Sequence, residues 1–266
     1  MNIYKKFESL TAFENYLQTN EVQKYFAAYP TSQVKKDYED SFYGTKSWDD
    51  AEDLMLHGDR ESAKRIEDGG IAKERAKIKL SDTRRQLFHD VAGVMPHVPN
   101  YIAGVPACMV NVKQVRAKFK VITLVYNISV NGDVNAEDMR DVAIKMLSAI
   151  MRIESNGVRV NLYVCDISDT QKQQIGWLLK IKNSGQHLDV IKTAYPLTNP
   201  SMLRRHSFRF TEITKGVHKA FASGYGSANR RADELLKACG LRDAKVLSYY
   251  KMRGQTTEQI TKDILS

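Results

Sequence analysis

The residues that most constrain the fold run from Phe119 to Cys165. Phe119 to Tyr126 (FKVITLVY) is mostly apolar and rich in β-branched and aromatic side chains, the composition of a central strand. A polar turn, Asn127 to Asp133, separates it from a helical pattern. Asn135 and Asp138 have N-cap spacing, and Val142, Ile144, Met146, Leu147, Ile150, Met151 and Ile153 make that helix apolar over much of its circumference. Asn156-Gly157 ends it near residue 155, and Val158 to Cys165 (VRVNLYVC) reads as the next strand. A strand, a buried helix and a second strand make a βαβ unit, so the two strands are expected as parallel neighbours with a right-handed crossover.

Further elements extend this unit. Asp169 is placed to cap a helix over residues 170–182 carrying Ile175, Leu178, Leu179 and Ile181. Leu188 to Tyr195 reads as a third strand, Asn199 as the cap of a short helix, and residues 213–222 and 227–239 as helices. Val246 to Tyr250 reads as a last strand, and Thr256 with Gln259 opens a C-terminal helix. Strands alternating with helices predict a three-layer α/β domain over residues 113–266, with a mostly parallel sheet flanked by helices. Residues 1–112 read as an N-terminal helical extension. There Thr11 with Glu14, and Ser47 with Asp50, have capping spacing, and Gly58 closes the helix that Ser47 opens. Pro30 stops a helix carrying Val22, Tyr25 and Phe26. Gly69-Gly70 interrupts a charged helical stretch over about residues 60–88, and prolines 96, 99 and 106 mark an ordered loop from Val91 to Met109.

Composition narrows the function classes. The 266 residues are 42% hydrophobic and 27% charged, enough for a core without disulfides or a structural metal. Three widely spaced cysteines (Cys108, Cys165, Cys239) form no disulfide framework and no zinc pattern. No apolar run is long enough for a transmembrane helix, and a polar helix follows Met1 to Lys6, so a cytoplasmic protein with no membrane partner is expected. The motifs of P-loop ATPases, zinc proteases and serine hydrolases are missing. The adjacent pair His89–Asp90 reads equally as a helix end, and Cys165 as a buried strand-end thiol, so no catalytic residue is nominated and the reading leans away from an enzyme.

Charge is unevenly placed. Residues 61–120 hold 12 basic and 6 acidic side chains, and residues 201–266 hold 13 and 6, around a balanced centre. Two basic regions fit a polyanion such as nucleic acid, or two solvated helical surfaces. The candidate anion-binding residues are Arg204, Arg205 and Arg209, interleaved with Phe208 and Phe210, together with Lys77, Lys79, Arg84 and Arg85. The alternation of Phe208 and Phe210 also fits a strand with both rings in the core. Arg230 and Arg231 follow Gly224-Tyr225-Gly226, where glycines before a helix either cradle a phosphate or make a tight turn capped by Ser227.

An apolar strand, the loop Asn127-Ile128-Ser129-Val130-Asn131 and a long buried helix together resemble the von Willebrand factor type A domain, over roughly residues 115–255. In that family the first strand ends in Asp-x-Ser-x-Ser, whose side chains hold a divalent cation, usually Mg²⁺. Only Ser129 matches that motif. Asn127 stands where the family has Asp, and Asn131 where it has Ser. The resemblance implies a metal site at Asn127, Ser129 and Asn131, with Asp133 or Asp166 restoring a carboxylate. An Asn carbonyl supplies oxygen without charge, so weak Mg²⁺ binding is expected, and otherwise no cofactor. The alternative is that the three side chains tie down a turn.

Three segments resemble an uncharacterised family of tailed-bacteriophage proteins: Ser41 to Trp48, Asp90 to Pro106, and Asn199 to Arg205. That resemblance implies a phage origin, hence the host-cell cytoplasm, and an adaptor role beside a ring-forming ATPase. The expectation is a non-enzymatic binding or adaptor protein that meets a protein partner and associates with nucleic acid or a nucleoprotein machine through basic surfaces. A metal-dependent interaction module and a metal-dependent phosphodiesterase are the alternatives.

Overall fold

The βαβ unit forms within the sheet of one compact unit. The computed structural model describes residues 2–27, 40–68, 83–116, 119–229 and 231–266. They fall into two compact units, one from residues 1–78 with 121–266 and one from residues 79–120. The strands in chain order are β1 (Ile3–Phe7), β2 (Thr83–Asp90), β3 (Met95–Pro96), β4 (Met109–Arg116), β5 (Val121–Asn127), β6 (Arg159–Thr170), β7 (Gln173–Lys182), β8 (Ser227–Ala228) and β9 (Lys245–Ser248). The helices are α1 (Leu10–Thr19), α2 (Asp40–Tyr43), α3 (Trp48–His57), α4 (Arg60–Ile66), α5 (Val98–Ile102), α6 (Ala136–Ser155), α7 (Val190–Thr198), α8 (Phe208–Ile213), α9 (Asp233–Ala238), α10 (Tyr249–Met252) and α11 (Thr257–Leu265). A π-helical turn, Met202–Ser207, runs directly into α8.

In the larger unit the sheet order is β1-β7-β6-β5-β9. β5 pairs in parallel with β6 and β9, and β1 in parallel with β7; along this order only the β6–β7 step is antiparallel. The architecture is mixed α/β with a mostly parallel central sheet flanked by helices. Asn135 caps α6 by accepting from Asp138 N at 2.8 Å, and Met146, Leu147 and Ile150 on that helix are fully buried. Each such side chain stabilises the fold by about 1.5–3 kcal/mol. The caps at Ser47 and Thr256 also form where the spacing placed them. α1 is capped by Ser9 instead of Thr11, through Ala12 N at 3.1 Å.

Several expected elements differ. Residues 170–182 form no helix: after a tight turn in which Thr170 Oγ1 donates to Gln173 O, they return as β7 beside β6. Ile175, Leu178 and Leu179 have helical spacing, but Gly176 belongs to a sheet, where an added Cβ would stand 2.9 Å from the carbonyl oxygen of Asp166. Residues 188–195, expected as a strand, lie mostly in α7, capped by Asp189; packing against α3, α4 and α6 overrides their β propensity. Phe208 and Phe210 sit on a helix rather than a strand, so their rings diverge: Phe210 lies near Phe7 and Tyr16, while Phe208 stacks on Tyr225. Residues 24–27 form a turn and not a helix, and residues 219–222 a short 3₁₀ turn. The helix expected over 227–239 is β8 followed by α9, and β9 gives way to α10 at Tyr249.

The N-terminal extension is not purely helical. β1 belongs to the central sheet, and the expected boundary at residue 112 falls within β4. α4 ends at Ile66, and the chain is a strand from Thr83; Pro30 and Gly69-Gly70 lie outside the described residues. The smaller unit carries a three-stranded antiparallel sheet in the order β2-β4-β3, and the loop expected from Val91 to Met109 contains β3 and α5. Among the described residues no helix is long and apolar enough to cross a membrane.

Candidate functional site

The carboxyl end of β5 and the adjoining stretch of β6 carry three of the four residues expected to hold a metal. Asn127 ends β5, with Ser129 just beyond it, and Asp166 lies on β6. All three are buried. Asn127 Oδ1 accepts from Ser129 N at 3.0 Å, and its Nδ2 donates to Asn229 O at 2.9 Å. Ser129 Oγ donates to Asp166 Oδ1 at 2.7 Å and accepts from Ile167 N at 2.8 Å. Asn131 is exposed, and its backbone N–H donates to the Tyr250 hydroxyl at 3.0 Å. The sequence brought Asn127, Ser129 and Asp166 together; Asn131 stands apart because the loop turns outward past Val130.

This donor set does not fit a hard divalent cation. Mg²⁺ requires oxygens converging on one point, usually with a carboxylate among them. Here Asn127 and Ser129 direct their polar atoms at the backbone and at Asp166. Among the described residues no group of three His, Cys, Asp or Glu side chains is placed to hold a metal. Burial pushes the Asp166 carboxyl up to about 6, with hydrogen bonds from Ser129, Ser207 and Ile167 opposing the shift. Burial also drives the neighbouring Cys165 thiol well above its ordinary range, which leaves it a poor nucleophile.

Asp166 opens onto a cavity of about 220 Å³, whose walls include Phe42, Ser129, Arg204, Phe208 and Tyr225. Arg204 comes from the π-helical turn, a geometry frequent at functional sites. Its guanidinium lies 4.1 Å from the centre of the Phe42 ring and donates to Phe42 O and Val134 O; burial lowers its pKa to about 10, so it stays charged at neutral pH. Tyr225 adopts φ 60° between Gly224 and Gly226, also at positive φ. It is held there by stacking on Phe208 at 4.0 Å and by its hydroxyl donating to Glu212. A Cβ on Gly226 would stand 2.6 Å from Asp169 O, so only glycine fits. Neither a cradle nor a cap at Ser227 opens directly onto a helix here: Ser227 enters β8, and the following helix starts only at Asp233.

The basic candidates are placed differently from expectation. Arg204 and Arg205 are buried, not surface cations. Arg205 donates from Nε to Thr45 Oγ1 and from Nη2 to Thr45 O, both at 2.9 Å, and its guanidinium lies over Tyr43. The Arg/Phe alternation was legible, but the π-helical turn points those guanidinium groups inward. Arg209 is half-buried and reaches Leu17 O and Asn20 O at 3.4 Å. Arg231 is exposed. Arg84 and Arg85 fall on β2. Lys77, Lys79 and Arg230 lie outside the described residues. His206, next to this pair, is buried with Nδ1 at 2.8 Å from the Tyr195 hydroxyl; burial, then the charge of Arg205, lowers its pKa to about 3.

The smaller unit holds a surface that motif reading missed. Leu87, Val91, Val94, Met95, Val98, Tyr101, Ile102, Val105 and Val112 are all exposed, from 40% at Val112 to 78% at Ile102. Residues 86–112 carry one formal charge, Asp90, and that scarcity was the available signal. Proline and glycine between Val91 and Met109 mark turns of the backbone and carry no information on the apolar side chains between them.

Residues 2–265 match a family model described as Domain of unknown function (DUF7192). Neither a curated protein nor a solved structure matches the chain.

Proposed function

The chain belongs to the DUF7192 family, and we propose that it is a non-enzymatic adaptor that holds a protein partner through the apolar surface of residues 87–112. One observation carries this reading: nine large apolar side chains in water on a stretch with a single formal charge. Single exposed hydrophobes are ordinary, but such a concentration on one small unit is the property of interaction sites. The polar groups Asn127, Ser129 and Asp166 fit a structural tie, since the Ser129 hydroxyl both donates and accepts. The resemblance to tailed-phage proteins would put the partner in a phage particle or its assembly machinery.

A photo-crosslinking residue in place of Ile102, introduced in the cell that makes the protein, tests the reading. A saturable adduct with a protein is expected. An adduct with nucleic acid alone would favour the polyanion reading, and the absence of any protein adduct would overturn the adaptor.

A further inference from the structure

The strand register places much of the apolar surface on one face. Leu87 pairs with Val112, His89 with Val110, and Met95 with Val110. Side chains alternate along each strand, so Leu87, Met95 and Val112 share a face with Val110, which is itself buried. Within α5, Val98, Tyr101 and Ile102 have the i, i+3, i+4 spacing of one helix face, and all are exposed. A fully exposed apolar side chain offers on the order of 100 Å², so the six partly exposed ones on these faces offer roughly 350–400 Å² in all. That is close to the apolar share of a standard interface, about 800 Å² per partner.

Two features specify the occupant. β2, eight residues long, ends the order β2-β4-β3, so one of its edges has no strand beside it among the described residues. A second antiparallel β2 would satisfy that edge, whereas lipid would leave its backbone groups without partners. Residues 86–112 carry only the charge of Asp90, so this stretch meets its own copy about a two-fold axis with little repulsion and gives a charged partner little to match, and the charged Arg84 and Arg85 lie at the start of β2. We propose that residues 87–112 form an isologous dimer surface, in which the β2 edge and apolar face of one chain meet those of a second copy. This rests on reading the surface as a protein-docking face.

The test is the molar mass of the full chain by sedimentation equilibrium, from about 0.1 to about 100 μM. A monomer–dimer equilibrium is expected. Ile102→Asp should raise its dissociation constant by about 100-fold or more, because the two-fold axis brings the introduced charges into an apolar interface. Ile102 is exposed, so the variant should keep its circular dichroism and melting curve at concentrations where both proteins are monomers. Hydrogen exchange gives a second readout: β2 amides should gain protection with concentration in the wild type only. A single-chain mass throughout, or a dimer that Ile102→Asp leaves intact, overturns the proposal. If the chain is monomeric and the position-102 cross-link captures a different protein, the docking reading survives and self-association falls. If it is monomeric with no protein adduct, both fall.

Discussion

Asp166→Asn is expected to stabilise the protein at neutral pH and to change little near pH 4. Burial raises the carboxyl from its ordinary 3.8 to about 6. The folded chain therefore holds this proton more tightly than the unfolded chain does. The associated stability is fully present below about pH 3.8 and is lost as pH rises through about 6. About 2 pKa units at 1.36 kcal/mol each give roughly 3 kcal/mol as the cost of the buried charge at neutral pH. Asparagine keeps an acceptor for Ser129 and removes the charge, so a gain of about 2–3 kcal/mol, roughly 4–5 °C in Tm for a chain of this length, is expected near pH 7.5. His206 acts with the opposite sign. Its pKa falls from 6.5 to about 3, so its contribution is present above about pH 6.5 and is lost as pH falls through about 3. The wild-type profile mixes the two, and the difference between variant and wild type isolates Asp166. Urea melts of both proteins at a series of pH values measure it. Destabilisation by Asp166→Asn that grows from pH 4 to pH 7.5 would refute the reasoning, because it would mean that the folded chain stabilises the carboxylate over the protonated carboxyl.

Two further outcomes follow from buried charge. Lys182 Nζ lies 2.6 Å from Glu154 Oε1 with both side chains almost fully buried, and Arg159 raises the local positive charge. Glu154→Gln, which leaves two buried cations, should cost about 3–5 kcal/mol. Lys182→Met should cost less because the Glu154 carboxylate still accepts from Val160 N, and the double variant should recover much of the loss; denaturant melts and the double-mutant cycle measure this. Arg205→Ala removes a buried guanidinium and both of its bonds to Thr45, so it should destabilise by about 3 kcal/mol or more. The same change should leave any salt-dependent affinity for DNA or RNA unaltered; a flattened salt slope in filter binding would show that this arginine reaches phosphate.

The sequence by itself determined the central βαβ unit and the local caps. β5, α6 and β6 were legible because burial on both faces demands continuous apolar runs, and because Asn135, Ser47 and Thr256 act on backbone N–H groups three residues away. Asn127, Ser129 and Asp166 were legible as neighbours because the parallel pairing sets the end of β5 beside Cys165 and Asp166 on β6. Tertiary structure decided the rest. Residues 173–182 and 190–198 have apolar patterns that fit either a helix or a strand, and only packing against β6 in one case and against α3, α4 and α6 in the other resolved them. Whether Arg204 and Arg205 face water or the core depends on a π-helical turn with no local signature, and on Thr45, Phe42 and Val134, 70 or more residues away in the chain. Likewise, no local pattern distinguishes an apolar residue that covers a core from one left in water. Ile102 and Ile150 read alike in sequence, and only the number of layers around each separates an exposed face from an interior.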